Sequence, residues 1–253
     1  MKKIIFTLLI SVIFFKSYSQ QCLYIGGGAT LTMPFIVNQN DYGANMLELN
    51  YKNRLGYGIN GTLGINMHDN MGLHFEAGYA HMGQKYEDNF ANAYYPGKHT
   101  KDIKLDYFQF LAAYHANSYA YKNYQFDAII GPQFGFLMHS NFSYKVNGVE
   151  TPYPLQDAID FHATYPVATD YKDFFKKFDA GLAVQGGVNI LPIEAIAINI
   201  GLRVYYAFTD LNSKTYTTHK NYAPSHNFFG GLHLSARWNV LKEDDFPLID
   251  RYK

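Results

Sequence analysis

Residues 55–67 read LGYGINGTLGINM, and residues 71–80 read MGLHFEAGYA. In the first stretch Leu55, Tyr57, Ile59, Leu63, Ile65 and Met67 share one face. Gly56, Gly58, Asn60, Thr62, Gly64 and Asn66 share the other. In the second, Met71, Leu73, Phe75, Ala77 and Tyr79 alternate with Gly72, His74, Glu76, Gly78 and Ala80. A period of two over this length means extended strand. The connection, His68-Asp69-Asn70, is a short turn, so the pair is a hairpin running from Leu55 to Tyr86. Both arms outrun the roughly five or six residues usual in soluble domains. One face is aliphatic and aromatic, while the other is small and polar with a carboxylate and an imidazole. Lipid outside and a narrow polar lumen inside produce that pattern.

The same alternation recurs along the chain. It predicts further strands at Cys22–Met33, Ile103–Asn117, Tyr124–Tyr144, Lys177–Ile190, Ile196–Phe208 and Asn227–Asn239. Pro34 reads as the end of the first. Pro132 lies in mid-strand and has no N–H for a ladder, so a bulge is expected there. The connections 35–53, 87–101, 145–176 and 211–224 are long, and those at 68–70, 118–123 and 191–194 are short. Long and short connections alternate around eight strands, as they do in outer-membrane barrels with long outer loops and short periplasmic turns. The predicted fold is all-β: an eight-stranded antiparallel up-and-down transmembrane β-barrel. A soluble lipocalin-like barrel has the same strand number but puts its apolar residues inside.

Bulk properties agree with one such domain. The chain has 253 residues, with 23 Tyr, 20 Phe, one Trp and a formal net charge of zero. Aromatics at this level suit long strands and interfacial girdles. No basic patch is concentrated anywhere, which argues against nucleic acid as a partner. Met1-Lys2-Lys3, the apolar run Ile4–Phe15 and Ser17-Tyr18-Ser19 make a positive, an apolar and a small-residue segment in that order. This is the pattern of a cleaved signal peptide, residues 1–19. The apolar run is shorter than the ~20 residues of a spanning helix. The barrel domain then covers 20–239, and the polar stretch 240–253 reads as a periplasmic tail. Cys22 is the only cysteine, so no internal disulfide forms. Ser19-Gln20-Gln21 before it lacks the small residue that precedes a lipidated cysteine. Gly26-Gly27-Gly28 lacks the Lys and Ser/Thr of a phosphate loop and reads as relief of crowding in a strand.

The inward face carries a charge cluster: Glu76, Asp127, Asp179, Arg203 and Arg237. Around it lie His74, Gln109, Gln133, Gln185 and His233, with His115 and His139 on the same face. An eight-stranded barrel has just enough interior for its side chains, and unpaired charge there is costly. Pairing across the lumen, plugging it, is one reading; a small gated pore or proton path is the other. For catalysis the candidates are His81 with Asp102 or Asp106, and Ser225-His226 at the start of the last strand. No serine sits in a nucleophile elbow, and the chain reads as non-enzymatic. His99, His162, His219 and His226 fall in loops without the close pair spacing of a metal site, so no metal and no cofactor is expected. The tyrosines Tyr42, Tyr51, Tyr94, Tyr95, Tyr153, Tyr165 and Tyr222 offer either a binding surface or packing above the barrel.

Three stretches carry a family resemblance: Leu105-Asp106-Tyr107-Phe108-Gln109-Phe110, Gly131-Pro132-Gln133-Phe134-Gly135-Phe136-Leu137 and Lys177-Phe178-Asp179-Ala180-Gly181-Leu182. With them the mature chain resembles the PorT-like family of outer-membrane β-barrels from the Bacteroidota, related in architecture to OmpA and OmpX. That family commonly carries Glu-Ile-Pro where this chain has Gln109-Phe110-Leu111. The resemblance implies an integral outer-membrane barrel in contact with outer-membrane lipid. It also implies a link to type IX secretion through PorT, with no catalytic signature. Protein partners would be reached through the loops or the periplasmic tail.

Overall fold

The computed structural model describes residues 22–37, 49–68, 70–90, 96–121, 123–151, 175–193, 195–213 and 224–240. Eight long strands are β1 (Cys22–Val37), β3 (Gly56–His68), β4 (Met71–Phe90), β5 (Gly97–Asn117), β6 (Tyr124–Val146), β8 (Phe178–Ile193), β9 (Ile196–Ala207) and β10 (His226–Asn239). Two short ones, β2 (Tyr51–Lys52) and β7 (Val149–Glu150), add to the edges of β4 and β6. Each long strand pairs antiparallel with its neighbour in sequence. The last pairs with the first, from Tyr24↔Asn239 to Val37↔His226, so the sheet is a closed ring without a free edge. One end of the ring carries the short turns and both ends of the ring-forming chain. The other carries the long connections.

The alternation acts as the hairpin implies. Ile25, Leu31, Ile59, Leu63, Phe110, Ile130, Val184, Ile200, Leu202, Leu234 and Trp238 are exposed on the outside. Tyr24, His74, Glu76, His115, Asp127, Arg203, His233 and Arg237 are buried inside. A soluble barrel would invert this. A wide apolar outer face is stable only against lipid.

Several boundaries differ from the sequence reading. Pro34 does not end β1: it pairs with Phe229, and the strand continues to Val37. The hairpin turn is one residue shorter, because His68 pairs with Met71. Most of 87–101 is strand, paired from Tyr86↔Lys101 to Phe90↔Gly97. Leu191-Pro192-Ile193 belongs to β8, after a register shift. No bulge forms at Pro132, where the β5–β6 register is the same at Tyr114↔Ile130 and at Leu111↔Gln133. The bulge lies higher, where Tyr107 pairs with Leu137 but Asp106 with His139. The extra residue, Met138, flips the faces beyond it. His139 is therefore exposed outside rather than facing the lumen, and Ser140, Phe142 and Tyr144 turn in. Residues 1–19, read as a signal peptide, and residues 241–253 of the stretch read as a tail lie outside the described residues.

β4, β5 and β6 run well past the rest of the ring at the loop end. In this projection the polarity of the alternation reverses. Lys98, Lys104 and His139 are exposed on the outer face, while Met82, Ile103, Leu105, Tyr107, Phe142 and Tyr144 are buried on the inner one. That is the pattern of a sheet in water.

Candidate functional site

The lumen of the turn-side half is filled by one hydrogen-bonded network. Arg203 on β9 donates to both carboxylate oxygens of Glu76 on β4, at 2.7 and 2.6 Å. Gln185 on β8 accepts from the same guanidinium at 2.9 and 2.6 Å. Gln185 donates to Asn199 at 3.1 Å, Asn199 to Asn189 at 2.9 Å, and Asn189 to Asn117 at 3.3 Å, so a run of amides descends to the turns. His74 Nε2 lies 2.7 Å from Glu76 and its Nδ1 lies 2.8 Å from the Tyr24 hydroxyl. With Nε2–H donating to the carboxylate, Nδ1 accepts the tyrosine proton. The Tyr24 oxygen also lies 3.5 Å from His115 Nδ1, and His115 Nε2 lies 3.2 Å from Arg237 and 3.3 Å from Asp127. Arg237 also donates to Asp127 at 3.0 Å. His233 shares a 2.9 Å hydrogen bond with Thr30.

Glycines make room for this packing. A Cβ on Gly64 would fall 1.9 Å from Cζ of Tyr24, so only glycine at that position lets the phenol lie across the lumen. Gly131 likewise approaches Ala112 and Ala113 too closely for a side chain.

The five expected charges do not form one cluster. Glu76, Arg203, Asp127 and Arg237 meet in the turn-side half. Asp179 stands apart at the loop side without an arginine. It accepts from the Tyr205 hydroxyl at 3.1 Å, the Thr209 hydroxyl at 2.6 Å and Asn227 at 2.9 Å, and Asn227 also donates to Tyr107 at 3.1 Å. Three donors, two of them hydroxyls, satisfy the carboxylate. Gln109 is half-buried, with its amide 4.0 Å from the Met82 sulfur, and Gln133 is buried.

Above the charges lies an apolar layer that the sequence reading did not place: Ile36, Met82, Ile103, Leu105, Tyr107, Tyr205, Ala207 and Phe229. Its signal was the reversed alternation in HTKDIKLDY, residues 99–107, where every second residue from Ile103 to Tyr107 is apolar and turned inward.

The catalytic candidates take structural partners. His81 lies 2.5 Å from Asp106, which also accepts from Tyr79 at 2.7 Å. Asp102 goes to Arg54 instead, and Arg54 also reaches His81 Nε2 at 3.2 Å. His81 therefore has both nitrogens engaged, and its ring stacks on Tyr57. The Ser225 hydroxyl accepts from Asn212 at 3.0 Å, and His226 Nδ1 faces the Thr209 carbonyl at 3.0 Å. These two do not bond to each other. His99, read as a solvated loop residue, is buried 2.6 Å from the Tyr144 hydroxyl. Tyr51 stacks on Phe35. His162, His219, Tyr42, Tyr94, Tyr95, Tyr153, Tyr165 and Tyr222 lie outside the described residues. Among the described residues no group of three or more His, Cys, Asp or Glu is placed to hold a metal ion, and none forms a helix long and apolar enough to cross a membrane.

A closed antiparallel ring of eight long strands, apolar outside and polar inside, defines a membrane-spanning β-barrel protein. Residues 19–213 match the outer membrane protein beta-barrel domain family, and the chain belongs to that family. It is thus an integral outer-membrane protein. No curated protein matches its sequence. Among solved structures it is similar to Neisserial surface protein A, NspA, at 14% identity, covering 86% of this chain and 97% of that one with a TM-score of 0.43. It is also similar to OprG from Pseudomonas aeruginosa, at 11% identity over 88% and 97% of the two chains with a TM-score of 0.41. Ail, the attachment invasion locus protein of Yersinia pestis, shares 11% identity over 86% and 97% with a TM-score of 0.35.

Proposed function

We propose that this protein is a non-enzymatic structural or interaction component of the outer membrane, with its lumen plugged by its own side chains. The observation that carries the reading is the Arg203–Glu76 bidentate pair, tied through His74, Tyr24 and His115 to Asp127 and Arg237. The apolar layer over it adds a second barrier to ions. Contacts with partners then fall to the surface: the loop end, facing out by the rule for such barrels, and the tail 240–253 in the periplasm. Export with removal of residues 1–19 belongs to the same reading. Purified protein in a planar lipid bilayer is expected to show no conductance steps; steady unitary steps would overturn the plug.

A second reading, supported by the stretches at 105–110, 131–137 and 177–182, is a PorT-like accessory of type IX secretion in a member of the Bacteroidota. Deletion of the gene would then deplete secreted proteins from the medium. Unchanged secretion would leave the first reading standing and remove the second.

A further inference from the structure

Between the charged network and the apolar layer the lumen is not fully packed. A cavity of about 30 Å³ is lined by Thr30, Gly58, Asn60, Glu76, Gln109, Gln133 and Arg203, among others. Polar atoms on two of these side chains reach no protein partner. Neither Nδ2 nor Oδ1 of Asn60 makes a hydrogen bond, nor does Nε2 of Gln133, although all three atoms are buried and Gln133 is only 2% exposed. Leaving a buried amide without a partner is costly, and such groups in native structures are satisfied by protein or by ordered water.

We propose that this cavity is a binding site for ordered internal water that links Asn60 to Gln133. The volume exceeds the roughly 10–15 Å³ that a cavity needs to hold a water. The water would accept from Gln133 Nε2 and donate to Asn60 Oδ1. The other lining groups exclude competitors. Glu76 and Arg203 neutralise each other through two hydrogen bonds, so no net field draws an ion. An organic ligand is too large. Gly58 makes the site possible. A Cβ there would meet only the Tyr79 carbonyl at 3.4 Å and the Ala80 methyl at 3.8 Å, so the space beside it is open to small atoms.

The inference rests on the barrel and not on its role in the cell. The test is water-to-protein NOE spectroscopy on the folded protein in detergent micelles, with the side-chain amides of Asn60 and Gln133 assigned. Cross-peaks at the water frequency with the sign of a long-lived water are expected from both amides. Their absence, with the Gln185 and Asn199 amides observed normally, overturns the site. Gly58→Ala and Gly58→Ser then put a methyl or a hydroxyl in the water's place. With the water present in the wild type, the alanine variant loses the cross-peaks and melts below the serine variant, whose hydroxyl replaces the lost partner. An alanine variant that melts at or above the serine variant means the cavity was dry and overturns the proposal.

Discussion

The two halves of the lumen solve the same problem by opposite means. Both must fill a narrow ring. The turn-side half does so with charge and amides, in which each of Glu76, Arg203, His74 and Gln185 has at least two partners. The loop-side half does so with Ile103, Leu105, Tyr107 and Phe229, as a soluble protein fills its core. The outer surface explains the division. Where lipid covers the outside, apolar side chains are already in a favourable place and the inside is free to be polar. Where β4, β5 and β6 leave the bilayer, water covers the outside and the apolar residues must turn inward to be buried at all.

The comparison is broken most easily in the charged half. Arg203→Met leaves the Glu76 carboxylate buried without its partner, and unfolding in denaturant is expected to show a loss of about 3 to 5 kcal/mol. Glu76→Leu combined with Arg203→Met should recover most of that loss, since two apolar groups replace a desolvated pair. If the double variant is as unstable as the single one, the network does more than pair charges. Leu105→Ala opens a cavity in the loop-side layer, where Leu105 is fully buried. A cost of about 2 to 4 kcal/mol is expected, with the heat-shift of the spanning barrel retained on gels. Tyr24→Phe removes only the hydroxyl between His74 and His115. Its expected cost is about 1 to 2 kcal/mol, read from the same denaturation curves.

The smallest effect sits on the outer face of the projection. Lys98 Nζ lies 3.0 Å from Glu87, and this hydrogen bond, with the charges of Lys98 and Lys85, holds the Glu87 carboxyl below its usual range. A depressed carboxyl contributes stability above its unfolded pKa and loses it as pH falls through the folded value. Because Glu87 is solvated, Lys98→Gln is expected to move the carboxyl titration upward by NMR and leave the melting temperature unchanged. A measurable drop in melting temperature would show that the projection depends on surface charge and not on its buried inner face.

Much of the membrane-spanning part was legible because alternation is unambiguous where one side is lipid. The in-or-out placement of Glu76, Asp127, Arg203, His233 and Arg237 follows from parity alone. Parity fails where a residue is inserted: Met138 carries no local mark of a bulge, and every face assignment after it, His139 first, turns over. Loop reading failed at 87–101 because charged residues in water-exposed strands look like loop residues, although the period of two persists through Lys101, Ile103 and Leu105. Which charges would meet was not legible either. Asp179 shares a face with Arg203, but it sits near the loop end of β8, level with Asn227 and Thr209 instead of a guanidinium.

The seam between the first and last strands has a kinetic meaning. Thr30 and His233, which bond across it, are 203 residues apart in the chain, and the network likewise needs Tyr24 from one side of the seam and Arg237 from the other. Loop closure over such a separation is among the slowest events available to a chain of this size. Until β10 arrives, β1 presents an open edge ready to pair with any other strand. The interval before closure is therefore when this protein most needs shielding by whatever inserts it into the membrane.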